Sequence, residues 1–164
     1  MPQLFVGTWP PPEVEAVLAD YPREAVTGLR WATPEQWLVS MRPLGEVTTA
    51  KMALVADALG AELDGAPAAT ATFGRVYRSG WLMIEVDGLE ELTTTVFEAT
   101  VPVVPPTHRE DWHAQVVLAR GRTPKSAEHP VPATTWPVRE LVLARAVRGK
   151  EPGYQTVETF PLGS

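Results

Sequence analysis

The chain has 164 residues, of which 45% are hydrophobic, and it carries a formal net charge of −6. This length and hydrophobic content fit one globular domain, and the negative charge argues against non-specific nucleic-acid binding, which needs a basic surface. The absence of cysteine excludes disulfides, thiolate metal sites and a cysteine nucleophile. No signal-peptide pattern and no membrane-spanning run are found, so we expect a cytoplasmic protein with no membrane partner.

The first half of the chain predicts alternating strands and helices. A strand over residues 4–9 ends at a run of prolines. A helix follows, because apolar residues recur at helical spacing from Val14 to Tyr21. A strand over 37–42 and a helix over 47–59, which a glycine ends, come next. The pattern is that of a helix-flanked sheet.

The second half predicts more strands than helices. The predicted strands cover 69–76, 81–86, 114–119, 140–145 and 154–160. One helix is predicted over 89–99, and proline-rich connections over 101–106 and 124–137. Together the two halves predict an α+β fold within one bilobal domain, residues 1–164, in which two antiparallel sheets flank a central cleft and helices lie outside.

Two of these strands alternate between an apolar face and a face that carries polar groups. On the first strand the second face carries Leu38, Ser40 and Arg42. On the second strand it carries His113, Gln115, Val117 and Ala119. Half-buried strands with ordinary solvent-facing side chains give the same pattern, so alternation alone does not assign a site.

A series of different short motifs stands along the chain. The first half carries Leu4-Phe5-Val6, Pro11-Pro12-Glu13, Arg30-Trp31, Thr33-Pro34-Glu35 and Leu44-Gly45-Glu46. The second half carries Trp112-His113-Ala114-Gln115-Val116-Val117-Leu118-Ala119-Arg120, Gly153-Tyr154 and Thr159-Phe160-Pro161-Leu162. In this order and spacing the chain resembles the bacterial 2′-5′ RNA ligase-like proteins, or RNA 2′,3′-cyclic phosphodiesterases, of the two-histidine phosphoesterase superfamily.

The resemblance implies a His-x-Thr or His-x-Ser strand from each half of the molecule. Imidazole serves as base and acid near neutral pH, and the hydroxyl binds phosphate. At the matching positions this chain has Leu38 and Ser40 in the first motif, and Gln115 and Val117 in the second. Neither Leu nor Gln ionises, so the resemblance implies the fold of a phosphodiesterase with a degenerate active site.

We therefore expect a non-catalytic protein that binds a nucleotide, an RNA end or another small anionic ligand in the cleft, with no cofactor. The candidate ligand-binding residues are Ser40, Arg42, His113 and Gln115. Three alternatives stay open: changed chemistry with His113 as a displaced base, residual phosphodiesterase activity, and a protein-interaction role. The interpretations that need no functional site are that His113 is simply exposed to solvent and that Arg42 forms an ion pair with an acidic residue.

Other polar groups point to a site less specifically. His108, Glu110, Asp111 and His113 form a polar cluster, but its spacing matches no diagnostic metal motif, so no metal is predicted. A phosphate or carboxylate could also be bound by one of four further side chains, Arg75, Tyr77, Arg78 and Arg120. The six tryptophans are expected to pack mostly in the core.

Overall fold

The computed structural model describes residues 1–106 and 113–163, in which nine strands form one sheet and three helices pack into its main core. The helices are α1 (Pro12–Ala19), α2 (Thr49–Leu63) and α3 (Glu90–Thr100). The strands are β1 (Gln3–Thr8), β2 (Arg30–Trp31), β3 (Val39–Glu46), β4 (Ala69–Ser79), β5 (Trp81–Asp87), β6 (Gln115–Arg120), β7 (Thr135–Val138), β8 (Glu140–Val147) and β9 (Gly153–Pro161). The predicted α+β class is confirmed.

The two predicted sheets are two halves of one antiparallel sheet. The strand order is β7-β4-β5-β6-β3-β1-β8-β9, and β2 pairs with β6 outside this path. Within the residues that the structure describes, β3 and β6 pair only at Ser40 and Gln115. The pairing of these two central strands is therefore one residue pair long, and both residues belong to the strands that the sequence singled out.

Two short strands were missed by sequence reasoning. The first, β2, is only two residues long. The second, β7, lies in the proline-rich segment predicted as a loop, and its Pro137 pairs with Thr70 of β4. Because β7 is an edge strand, a residue without an N–H group is tolerated there.

Helix α2 runs past its predicted end. A glycine inside a helix costs about 1 kcal/mol relative to alanine, and Gly60 was therefore predicted to end the helix. The helix continues to Leu63, which is buried in the main core together with Val55 and Leu59. The burial of a leucine side chain offsets the cost of the glycine. At the other end the Thr48 hydroxyl accepts a hydrogen bond from the Lys51 N–H, an N-cap.

In the described part of the chain, buried apolar residues form two separate clusters. All three helices contribute to the larger one, so the helices lie on one face of the sheet. The smaller cluster consists of Leu38, Val142 and Ala144, with Phe5, Trp9 and Tyr154 packed around it. Within the described residues, no helix has both the length and the apolar character needed to cross a membrane.

Candidate functional site

A register shift between β1 and β3 decides which side chains share a face. Val6 pairs with Arg42 and Gly7 with Ser40, which leaves Met41 without a partner on β1. Residues directly opposite each other point to the same face. Val6 lies in the main core, so Arg42 lies on the helix-covered face, and Ser40 lies on the opposite one. We call the face of Ser40 the open face.

Arg42 therefore does not lie beside Ser40, as strict alternation predicted. Its side chain is 3% exposed and lies over the ring of Phe97 in α3, with 5.0 Å from the guanidinium carbon to the ring centroid. Its Nη1 donates to the Thr100 hydroxyl at 2.7 Å, and its Nη2 donates to the Val104 carbonyl at 2.6 Å. The extra residue at position 41 is the reason for the difference.

The alternation predicted for the second strand holds around Gln115. Ala114, Val116 and Leu118 are buried, whereas Gln115 and Val117 are partly exposed. Gln115 pairs with Ser40 on one side and with Glu85 of β5 on the other. These residues therefore share the open face.

Tyr77 fixes the orientation of the Gln115 side chain. The Tyr77 hydroxyl donates a hydrogen bond to Oε1 of Gln115. Burial, and then the nearby Glu85 carboxylate, raises the pKa of Tyr77 above its ordinary value, so the phenol keeps the proton that it donates. With its oxygen engaged, the Gln115 amide offers N–H donors to a ligand.

Leu38 occupies the open side of the sheet but is not accessible. It points away from Trp37 and Val39, as predicted, and is 2% exposed. It packs with Val142 and Ala144 of β8 in the smaller apolar cluster. This part of the predicted cleft is filled by apolar side chains, whereas Val117 on the neighbouring half remains partly exposed.

A pocket of about 310 Å³ lies beside the apolar cluster. Three aromatic residues, Phe5, Trp81 and Tyr154, and two arginines, Arg120 and Arg148, contribute to its lining. The Phe5 and Tyr154 rings meet edge to face with centroids 5.0 Å apart. The pocket therefore combines aromatic walls with positive charge.

Arg120 connects the two half-sheets at this pocket. Its Nη2 donates to the Tyr154 hydroxyl of β9 at 3.0 Å, and its guanidinium carbon lies 5.2 Å from the centroid of Trp81 in β5. Its Nε is buried without a hydrogen-bond partner among the described residues. An unsatisfied buried N–H is costly, so the Nε position adds nothing to the stability of this contact.

His113 lies two residues before the first residue of β6 and forms an ion pair with Asp87 if it is protonated. Its Nε2 is 3.1 Å from Oδ1 of Asp87, and its side chain is 40% exposed. The other members of the polar cluster predicted near it, His108, Glu110 and Asp111, lie outside the described residues, as does Trp112.

Two other arginines named from the sequence make ion pairs at the surface. Arg75 Nε lies 3.1 Å from Glu85 Oε1, and Arg78 Nε lies 3.0 Å from Glu128 Oε2. Such exposed pairs contribute little to stability.

The sequence did not single out Phe5, Tyr154 or Asp87 as site residues. Phe5 and Tyr154 stand inside motifs that carried the resemblance, which is the signal that was available. Their contact joins β1 to β9, about 150 residues apart in the chain. No local pattern encodes such a contact.

Comparison with known proteins agrees with this architecture, although no family model matches the chain. Over 150 residues the chain is 30% identical to an RNA 2′,3′-cyclic phosphodiesterase of Geobacillus stearothermophilus; the match covers 80% of this chain, and the chain spans about half, 47%, of that relative. The fold matches a crystal structure from Thermus thermophilus with a TM-score of 0.79 at 23% identity, covering 99% of each chain. It also matches E. coli LigT complexed with 3′-AMP, with a TM-score of 0.84 at 18% identity, covering 100% of each. Over the matched region the chain is thus similar in sequence to an RNA 2′,3′-cyclic phosphodiesterase, and its fold is that of E. coli LigT.

Proposed function

We propose that the chain binds a small anionic ligand of the nucleotide class on the open face and does not hydrolyse 2′,3′-cyclic phosphates. The proposal departs from the family activity at two positions. Leu38 and Gln115 stand where the resemblance implies the two histidines, and neither side chain exchanges a proton near neutral pH. General acid–base catalysis contributes about 10²–10⁴-fold per group, so the loss of both groups removes most of the rate enhancement.

The observation that carries the binding proposal is the pocket at Arg120. Its volume of about 310 Å³ is at the lower end of the range for small-ligand sites. Aromatic rings such as Trp81 and Tyr154 stack on nucleobases regardless of sequence. The Arg120 guanidinium lines this pocket, and an arginine offers a charge-assisted hydrogen bond to a phosphate or carboxylate oxygen.

Structures of LigT support a nucleotide as the ligand class. They include complexes with 3′-AMP, ATP, NADP+ and phosphate. In the present chain, Ser40 and the amide of Gln115 extend the polar surface of the same face. Arg42 is left out of the proposed site, because its guanidinium is buried against α3.

Isothermal titration calorimetry with 3′-AMP tests the binding. Wild-type protein is expected to bind one equivalent saturably, and Arg120→Ala to bind at least about tenfold more weakly, as expected for a lost charge-assisted contact. Arg139→Ala is the matched control, since Arg139 is an exposed arginine between β7 and β8. No saturable binding, or equal affinity of the Arg120 and Arg139 variants, contradicts the proposal.

Turnover of 2′,3′-cyclic AMP tests the missing catalysis. Wild-type protein is expected to show none above background. A triple variant, Leu38→His with Gln115→His and Val117→Thr, restores the family motif residues. Hydrolysis by the wild type contradicts the proposal, whereas a gain only in the triple variant localises the lost activity to these three positions.

One observation favours a second candidate function, an enzyme of changed chemistry. The His113 imidazole is held by the Asp87 carboxylate at 3.1 Å, an arrangement that orients a general base. It predicts a hydrolytic activity that His113→Ala abolishes without unfolding the protein. A panel of phosphate and carboxylate esters, assayed with both proteins, would detect it.

A further inference from the structure

We propose that Glu85, Asp87 and His113 form a binding site for a divalent transition-metal ion. The inference is independent of nucleotide binding at Arg120. Each of the three side chains offers one ligand atom, and these atoms all lie within 4.8 Å of one another. The spacing of His113 to its neighbours along the sequence did not predict this set, because the two carboxylates come from another strand.

Paired strands bring the three residues together. Glu85 pairs with Gln115, and the Val86 N–H donates to the Ala114 carbonyl at 2.8 Å, so the β5–β6 pairing continues toward Asp87 and His113. Glu85 and Asp87 are two residues apart on one strand and share a face. The backbone that holds both carboxylates is therefore part of a sheet and is defined before an ion binds.

The distances suit a first-row metal ion. His113 Nε2 and Asp87 Oδ1 lie 3.1 Å apart. Neighbouring ligand atoms around such an ion are separated by about 3.0–3.5 Å, given metal–ligand bonds of about 2.0–2.2 Å. The Glu85 oxygen lies within 4.8 Å of the other two ligand atoms, so binding of an ion requires this carboxylate to approach them. One imidazole with two carboxylates is a donor set for zinc, manganese or iron, with coordination positions left for water.

Both carboxylates and the imidazole are reachable from solvent. The side chains of His113 and Asp87 are 40% and 52% exposed, and that of Glu85 is 26% exposed. Gly74 leaves room for the Asp87 carboxylate, since a Cβ there would lie 2.7 Å from Asp87 Oδ2. A hydrated ion can therefore enter without movement of the backbone.

The Arg75 guanidinium competes with a metal ion for the Glu85 carboxylate. Its Nε lies 3.1 Å from Oε1 of Glu85, so an ion must share or displace this contact. A fixed positive charge close to the site also repels a divalent cation. The removal of Arg75 is therefore expected to strengthen metal binding, which a purely structural ion pair would not show.

The site lies on the open face: Glu85 pairs with Gln115, which pairs with Ser40, and Asp87 and His113 lie two residues further along. Two residues of strand correspond to about 7 Å. Metal coordination through His113 Nε2 would replace the contact with Asp87 that orients the imidazole in the changed-chemistry role. The two roles of His113 therefore exclude each other.

The test is titration of the tag-free full chain with Zn²⁺ and Mn²⁺ by calorimetry, in the absence of nucleotide. Wild-type protein is expected to bind one ion, and His113→Ala and Asp87→Asn to bind at least about tenfold more weakly, the scale at which even the outer contacts of a metal site act. Arg75→Ala is expected to bind more tightly than the wild type. Circular dichroism confirms that each variant is folded.

A second histidine provides the matched control. His129 Nε2 lies 3.9 Å from Glu24 Oε1, and its side chain is 36% exposed, so His129→Ala removes a similar histidine–carboxylate pair elsewhere. This variant is expected to keep wild-type affinity. The proposal is overturned if no saturable binding occurs, or if the His113 and His129 variants lose affinity equally. Neither result affects 3′-AMP binding at Arg120.

Discussion

The two positions at which the resemblance implies histidines have different surroundings. Leu38 is 2% exposed and packs against Val142 and Ala144 of the neighbouring β8. Gln115 is partly exposed and accepts a hydrogen bond from Tyr77. One half of the sheet thus carries a packed apolar side chain at this position, whereas the other half carries a partly exposed polar one. A substitution at the first position is therefore expected to affect stability, and one at the second to affect binding.

Truncation of Leu38 should give the largest loss of stability. Leu38→Ala leaves a cavity in a buried cluster, which costs about 2–5 kcal/mol. Urea unfolding measures the change. Leu38→Met conserves volume and should cost less than about 1.5 kcal/mol. Equal losses in the two variants would mean that Leu38 is not packed as described.

Replacement of Arg42 tests the boundary between the two faces on β3. Arg42→Met removes the hydrogen bonds to Thr100 and Val104 and should cost about 2–3 kcal/mol, as for hydrogen bonds from a charged group. Affinity for 3′-AMP should be unchanged in the folded variant. Lost affinity with unchanged stability would return Arg42 to the ligand site, where alternation first placed it.

The effects of substitutions at Tyr77 and Gln115 on the free energy of unfolding should be weakly coupled. Gln115→Ala and Tyr77→Phe are each expected to lower the free energy of unfolding by about 1 kcal/mol, and the double variant by less than the sum, since they remove the same hydrogen bond. Gln115→Ala should also weaken 3′-AMP binding. Additive losses in the double-mutant cycle would show that the two side chains do not interact.

The smallest expected effect is on the ionisation of tyrosine side chains at alkaline pH. Because the pKa of Tyr77 is raised above its ordinary value of 10.0, its contribution to stability is present below that pH and is lost as the pH rises through the folded-state pKa. Tyr77→Phe should remove this loss, together with one phenol that ionises late. Ultraviolet absorbance of phenolate, followed against pH in both proteins, measures it. An unchanged titration curve would contradict the assignment.

Period-two alternation was sufficient where the strands pair regularly. It predicted that Leu38 points to the other face of the sheet from Trp37 and Val39. It also predicted that Gln115 points to the other face from Ala114 and Val116. The structure confirms both predictions. It was wrong for Arg42, because one extra residue on β3, Met41, shifts the register relative to β1. A bulge of this kind depends on the partner strand and leaves no mark in the local pattern.

Contacts between distant strands were beyond sequence reasoning for the same reason. The Arg120–Tyr154 hydrogen bond joins β6 to β9, and the Asp87–His113 pair joins β5 to the start of β6. Motif order located Arg120 and Tyr154 separately, but only the sheet order brings them to one pocket. Asp87 had no motif at all, since a lone acid after a strand is a common feature of turns.

The single pairing between β3 and β6 has a consequence for the order of folding. The half-sheet of β4 to β7 is built largely from one continuous stretch, 69–138, whereas β1 must meet β8 across more than 130 residues. Chain closure over such distances is slow. We therefore expect the continuous half to form early in the transition state, and the packing of Leu38 against Val142 to form late. A destabilising change at Leu38 would then accelerate unfolding and leave the rate of folding almost unchanged.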